Sequence, residues 1–163
     1  MSKEREIRCY DYVNHPYEKV RGALRSDPLA VFQSATKSAA SRAESVASAL
    51  RVAVGGIGVE ADIKISIKDI EETVSGPMNS PTTRLHLSWE AANMAHLFPL
   101  MNAVLSVYPL TGTETQLDFH GLYQPPLGAL GQALDAVAGH RIAEVSVHRF
   151  VNDVATHLRQ DIR

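Results

Sequence analysis

The chain has 163 residues, of which 45% are hydrophobic and 21% are charged, and its formal charge at pH 7 is -2. These values are ordinary for one globular domain, and a chain of this length buries roughly two-thirds of its unfolded surface. They argue against a disordered or fibrous protein. The 16 basic residues form no run that would indicate a nucleic-acid partner. We therefore expect a single domain over residues 1–163.

Cysteine usage and hydropathy predict where the protein works. Cys9 is the only cysteine, so an internal disulfide is excluded. The start, MSKEREIR, is too charged for the apolar core of a signal peptide, and no apolar stretch reaches the roughly 20 residues of a membrane span. We expect a cytoplasmic protein without a transmembrane segment. The sequence leaves monomer and homodimer open.

The N-terminal third predicts one strand and two helices. The segment IRCYDYV, residues 7–13, alternates and carries β-branched and aromatic residues, which favours a strand. Pro16 suits the first position of a helix, which we place from about Pro16 to Arg25. From Pro28 to about Leu50, apolar residues recur every three or four positions and indicate a second helix with a narrow apolar stripe.

The middle of the chain alternates with a period of two, which is typical of strands with one apolar and one polar face. In GIGVEADIKISIKDIEE the odd-numbered residues from Ile57 to Ile67 are apolar and the residues between them are mostly charged or polar. The segments RLHLSWE at 84–90, NAVLSVY at 102–108 and LDFHGLY at 117–123 repeat the pattern. We expect a meander of antiparallel strands.

After Pro125 and Pro126 the apolar residues recur with a helical period. They trace a stripe from Leu127 to Leu158, about 30 residues or roughly 45 Å at 1.5 Å per residue. A long amphipathic helix needs an apolar surface to pack on, and the apolar face of the meander is the large one available. The predicted fold class is therefore α+β, with the helix lying on the sheet.

This order of elements resembles the helix-grip fold of the START/Bet v 1 superfamily, also called SRPBCC proteins. The segments HLSWEA, LFPLMNAVLSVYPL, LDFHGLYQPPLGALGQALD and HRIAEVSVHRFVNDVATHL resemble bacterial members related to polyketide cyclases and dehydratases. The likeness spans nearly the whole chain and is strongest from Leu85 onward. It implies a curved antiparallel sheet wrapped around the C-terminal helix, two shorter helices after the first strand, and a cavity for an apolar or amphipathic small molecule. Members differ in activity, so the resemblance implies a fold more directly than a function.

The apolar strand face and the start of the C-terminal helix supply the residues that we expect to line this cavity. Apolar burial of a ligand there would contribute roughly 25 cal/mol per Å². A filled core is the simpler interpretation for any single residue, and Trp89 and Tyr123 could also stack on an aromatic ligand. The predicted lining residues are Ile63, Ile65, Ile67, Leu85, Leu87, Trp89, Leu105, Leu117, Phe119, Tyr123, Leu130 and Leu134.

Seven histidines raise the question of metal binding or acid–base catalysis. No HExxH motif occurs, and His140, His148 and His157 do not share one helical face, so we predict no metal site and no other cofactor. By parity, His86 and His120 lie on the polar face of their strands. A general acid or base role would require a bulge that turns them inward. We predict no catalytic residue.

Cys9 and the glycines at 55–58 have simple structural interpretations. No Lys-Ser or Lys-Thr follows the glycines, which therefore indicate a turn or bulge and not a phosphate loop. Cys9 is interpreted as a packed or half-exposed thiol, since the sequence identifies no base beside it.

The predicted function is binding of a hydrophobic small molecule, such as a lipid, isoprenoid or polyketide-like compound, as a carrier or sensor. The alternative is an enzyme resembling polyketide cyclases and dehydratases, which would need a base and an oxyanion donor in the cavity. The inward positions of the apolar strand face contain no His, Arg, Asp or Glu, which favours the carrier. A second alternative is a protein-interaction module, which an exposed apolar patch outside the cavity would favour.

Overall fold

The computed structural model describes residues 5–26, 28, 30–33, 35, 63–75, 79–91, 101–123 and 136–162. Its strands pair in the order β1-β5-β4-β3-β2, and every neighbouring pair is antiparallel. Residues 28, 30–33 and 35 are helical. The elements are β1 (Arg5–Val13), α1 (Tyr17–Ser26), β2 (Ile63–Ser75), β3 (Ser80–Ala91), β4 (Met101–Pro109), β5 (Thr115–Tyr123) and the C-terminal helix α2 (Ala136–Asp161).

The α+β fold class is confirmed, and the strands extend beyond the alternating segments that predicted them. The helix predicted from Pro16 to Arg25 begins and ends one residue later. Four parts of the predictions lie outside the described residues: the glycine turn at 55–58, the first seven residues of the second predicted strand (56–62), the second helix beyond residue 35, and the break and helix start at 124–135.

One face of the sheet, which we call the inner face, packs against the helices and forms the core. Because successive strand residues point to opposite sides, only every second residue of a strand lies on it. Helix α2 packs mainly on β1. Its buried residues recur every three or four positions, as an amphipathic helix requires. The apolar ones among the described residues are Val147, Phe150, Val151, Val154, Ala155 and Leu158.

Three aromatic rings join α2 to the inner face. Phe150 stacks on Phe32 with ring centroids 5.8 Å apart and meets the ring of Phe119 edge-on at 5.9 Å. All three rings are almost completely buried. Stacked and edge-to-face pairs contribute about 0.5–1.5 kcal/mol beyond the burial of their area. The C-terminal half of α2 is thus fixed against the centre of β5.

A bulge in β2 changes which residues face inward. Ile67 pairs with Leu87, but Asp69 pairs with His86, so one residue is inserted between the two pairs. Beyond this point Ile70 and Glu72 take the inward positions that strict alternation would give to odd-numbered residues. The alternation of the sequence did not predict this reversal.

Helix α1 is held to the sheet by one buried hydrogen bond and one exposed ion cluster. The hydroxyl of Tyr17 lies 2.6 Å from that of Thr83, and both residues are buried. Arg21 and Arg25 donate hydrogen bonds to the carboxylate of Glu72 at 2.6 and 2.7 Å. These contacts close the inner face beside β2 and β3.

Candidate ligand-binding face of the sheet

Cross-strand register brings many of the predicted lining residues together in rows on the inner face. One row runs through Ile65, Trp89, Met101 and Tyr123. The next runs through Ile67, Leu87, Ala103 and Gly121. A third contains Ile70, Leu85, Leu105 and Phe119. The sheet therefore assembles one apolar surface from four strands.

The predicted lining residues differ in how completely they are buried. Leu85, Leu87, Leu105, Leu117, Phe119 and Tyr123 are buried, and Ile65 and Ile67 pack partly buried against them. Ile63 on β2 is paired with Ala91. Trp89 on β3 is paired with Ile65. Leu130 and Leu134 lie outside the described residues. The role of all twelve predicted residues as cavity lining stays a prediction.

The two ends of the inner face differ in how they are filled. Near the C-terminal half of α2, Phe119 and Phe150 fill the space between helix and sheet. Next to the Tyr123 row, the neighbouring positions on β4 and β5 are the small residues Ala103 and Gly121. Small residues between larger ones allow a second group to approach the backbone closely.

Gly121 is the residue whose role the sequence did not reveal. A Cβ at this position would lie 2.6 Å from the Sδ of Met101 and 3.0 Å from the ring of Phe119. The Met101 thioether therefore lies across the glycine. A glycine in the interior of a strand is the available sequence signal for such a close approach, since it has no other advantage there.

Tyr123 supplies a polar group on this face. It is buried, and Arg5 donates a hydrogen bond to its hydroxyl. Burial raises the pKa of Tyr123, and the nearby Glu144 raises it further against the opposing effect of Arg5. The phenol therefore stays protonated at neutral pH and is able to donate a hydrogen bond.

Cys9 has a histidine beside it that sequence reasoning did not identify. Its Sγ lies 3.4 Å from Nδ1 of His148, which α2 brings from 139 positions along the chain. Burial, followed by the charges of Asp11 and Asp118, raises the pKa of Cys9 to about 11. The sulfur is thus a protonated thiol at neutral pH, and a thiol is a poor nucleophile. The interpretation as a packed thiol agrees with this environment.

Two carboxylates lie on the inner face at its margins. Asp11 is on β1 and accepts a hydrogen bond from Arg159 at 2.9 Å. Glu72 follows the bulge in β2, and the hydrogen bonds from Arg21 and Arg25 lower its pKa to about 2. The expectation that the inward positions carry no His, Arg, Asp or Glu was therefore wrong, since Asp11, Glu72 and Arg5 occupy such positions. Each carboxylate is neutralised by an arginine and belongs to a helix contact.

His86 and His120 lie on the opposite, outer face, as parity predicted. Nε2 of His86 is 3.3 Å from Glu71, and Nε2 of His120 is 2.8 Å from Glu6. Both imidazoles are partly exposed. The β2 bulge lies between Ile67 and Asp69 and does not turn either histidine inward.

Solved structures with the same arrangement of sheet and helix identify the fold. A protein from Thermus thermophilus has a TM-score of 0.53 at 11% identity, covering 94% of this chain and 97% of its own. A conserved protein from Geobacillus kaustophilus has a TM-score of 0.51 at 14% identity over 98% of both chains. The Zhui aromatase/cyclase from Streptomyces sp. R1128 has 0.50 at 13% identity, covering 99% and 97%. The fold is the helix-grip fold.

The resemblance to SRPBCC proteins is thus confirmed at the level of the fold. No protein-family model matches the chain, and no curated protein matches it by sequence. Within the described residues, no helix is long and apolar enough to cross a bilayer.

Proposed function

We propose that the chain binds a hydrophobic small molecule of the lipid, isoprenoid or polyketide-like class between the inner face and α2, as a carrier or sensor. The observation that carries this proposal is the pair of adjacent apolar rows that end at Tyr123 and Gly121 on β5. Ala103 and Gly121 are small, and the flexible Met101 thioether that lies across Gly121 is the side chain that a ligand there would displace. A ligand there would gain affinity chiefly from apolar burial.

The distribution of polar groups supports a binding role. Among the described residues of this face, Asp11 and Glu72 are held by arginines, and the hydroxyl of Thr83 is bonded to Tyr17. These groups have little capacity left for a substrate. The Tyr123 hydroxyl would fix the orientation of a carbonyl or hydroxyl on an otherwise apolar ligand.

Adjacent residues of β4 provide a matched test. Ala103 points to the inner face and Val104 to the opposite, outer face. The variant A103W adds an indole to the inner face, while V104W adds the same indole to the outer one. We expect A103W to weaken binding of a fluorescent fatty acid, 11-(dansylamino)undecanoic acid, by about 10-fold or more, since it occupies the volume of the ligand. V104W should bind it as the wild type does.

Titration by dansyl fluorescence, with circular dichroism to establish that each variant is folded, measures this difference. The wild-type protein purified from its own host should also carry an extractable apolar molecule in native mass spectrometry. Absence of saturable probe binding together with no thermal shift on adding lipids or polyphenols would contradict the carrier. Equal weakening by A103W and V104W would contradict the placement of the site.

An enzyme resembling cyclases is the second candidate, because Tyr123 is a protonated donor on this face and one similar fold belongs to an aromatase/cyclase. A phenol of this kind could donate to the oxyanion that develops in an aldol-type cyclisation. The variant Y123F separates the two functions. Unchanged turnover of an aromatic polyketide precursor by Y123F, or no turnover by the wild type, would contradict the enzyme.

A further inference from the structure

The outer face of the sheet contains a groove of about 490 Å³ that crosses β1, β5, β4 and β3. We call it the outer groove. Its register is known from the strand pairing: Ser106 on β4 lies opposite Arg84 on one side and Asp118 on the other. The adjacent row places Val104 between His86 and His120, with Arg8 beyond them on β1. Four nitrogen-bearing side chains therefore line one depression.

In the described ranges, the charged groups of the outer groove are paired except for Arg84, and Glu71 and Glu6 contact its two histidines. Asp118 is the one carboxylate among the described lining residues, and it is paired with Arg8 at 3.5 Å. Arg84, which is paired with Ser106 across β3 and β4, forms no side-chain hydrogen bond or ion pair within the described part of the chain. Its cross-strand neighbour Glu71 contacts His86 instead. Among the residues that the structure describes, the partly buried Arg84 therefore has no ion-pair partner.

Hydroxyl groups line the same groove as Arg84. Ser80, Ser106 and Tyr108 all line the outer groove. Burial, with a contribution from the charge of Asp118, raises the pKa of Tyr108, so its hydroxyl keeps its proton and can donate. A planar guanidinium with hydroxyl donors nearby matches the several acceptor oxygens of a phosphoryl group.

We infer that the outer groove is an anion site centred on Arg84 that binds a phosphoryl group, carried either by a small molecule or by a lipid headgroup. The site lies on the face of the sheet opposite the proposed hydrophobic ligand and uses none of the same side chains. It is therefore independent of the proposed function. A carrier of apolar ligands with an anion site on its outside would have a second means of recognising where it loads or unloads.

Titration with inorganic phosphate at constant ionic strength, followed by NMR chemical shifts of the strand amides, tests the site. We expect saturable shifts that centre on Arg84 and Ser106. The variant R84Q should weaken the affinity by about 10-fold or more, since it removes charge-assisted hydrogen bonds. The matched control is R149Q, which removes an exposed arginine from α2 on the other side of the sheet. It makes the same change in net charge and should alter the affinity by less than about 2-fold.

Flotation with phosphatidylcholine vesicles, with and without phosphatidic acid, distinguishes the two sources of the phosphoryl group. If the protein binds vesicles that contain phosphatidic acid, and R84Q loses this binding while R149Q keeps it, the phosphoryl group belongs to a lipid headgroup. Saturable binding of free phosphate without vesicle binding supports a small molecule. Failure of both ligands to bind, or an equal loss in R84Q and R149Q, would overturn the inference. The dansyl fatty acid titration is unaffected by these outcomes, so the two proposals fail separately.

Discussion

The inner and outer faces of the sheet are built from alternate residues of the same strands, yet they are stabilised in different ways. On β5, Phe119 is completely buried against Phe150, while its neighbour His120 has 43% of its side chain exposed and contacts Glu6. The inner face depends on volume and close packing. The outer face depends on charge and on pairing with partners that water also solvates. The two proposed sites, one on each face, therefore differ in their chemistry.

The largest expected difference is between the two neighbouring residues of β5. F119A removes a ring that packs on Phe150 and should lower the free energy of unfolding by about 3–5 kcal/mol. H120A removes an exposed contact with Glu6 and should cost less than about 1 kcal/mol. Urea unfolding followed by far-UV circular dichroism measures both. Similar losses of unfolding free energy in the two variants would contradict the difference in packing between the two faces.

A smaller effect is expected from adding a single methyl group to a glycine. G121A places a Cβ against Met101 and Phe119, and should destabilise the protein by about 1–3 kcal/mol because those side chains must move. G112A is the control, since a Cβ at Gly112 meets no atom within 4 Å, and it should change stability by less than about 0.5 kcal/mol.

The double variant G121A/M101A identifies the cause of the loss at Gly121. If the Met101 thioether is the obstacle, the double variant should be less destabilised than the sum of the two single variants. Additive losses in the same unfolding experiment would place the strain elsewhere.

Two tyrosines extend the comparison to hydroxyl groups. Y17F removes a buried hydrogen bond and leaves the Thr83 hydroxyl without its partner, at a cost of about 1–3 kcal/mol. Tyr10 lies on the outer face and is 73% exposed, so Y10F should change stability by less than about 0.5 kcal/mol. Thermal unfolding of both variants checks the ranking. A loss in Y10F as large as that in Y17F would contradict it.

The sequence predicted those features that depend on contact with water. Alternation located the strands because one face is wet, and the change to a helical period located the C-terminal helix. The same parity placed His86 and His120 on the outer face. At the bulge the inward apolar residues of β2 change from odd-numbered Ile67 to even-numbered Ile70. The register of β2 at this point depends on pairing with Leu87 and Leu85. Local patterns do not specify pairing of that kind.

Contacts between distant segments could not be predicted from one sequence. Cys9 meets His148, and Asp11 meets Arg159, only because α2 has a particular rotation and height on β1. A rotation of about 100° separates successive residues of a helix, so a small change would exchange these partners. That Arg84 lacks a carboxylate partner among the described residues likewise depends on the contact of Glu71 with His86. These are the features that distinguish the two faces chemically.

The smallest expected effect is a change in stability at acid pH, and it distinguishes the adjacent carboxylates Glu71 and Glu72 of β2. Arg21 and Arg25 lower the pKa of Glu72 from its ordinary value of 4.5 to about 2 by hydrogen bonds to the charged form. A carboxyl group whose pKa is lower in the folded state stabilises the protein above its unfolded pKa. The contribution of Glu72 is therefore present above about pH 4.5 and is lost as the pH falls toward 2. Because Glu72 is exposed, the contribution is small and should weaken further in salt.

The variant E72Q should reveal this contribution as a difference from the wild type that is present at pH 6 and shrinks between pH 4.5 and 2, measured by urea unfolding at each pH. E71Q is the matched control, since it removes the neighbouring carboxylate from the outer face and retains the cluster of Glu72 with its two arginines. Between pH 4.5 and 2, E71Q should lose as much stability as the wild type does. If E71Q removed the acid-dependent loss and E72Q did not, the bulge that turns Glu72 toward α1 would be wrongly placed, and with it the division between the two faces of β2.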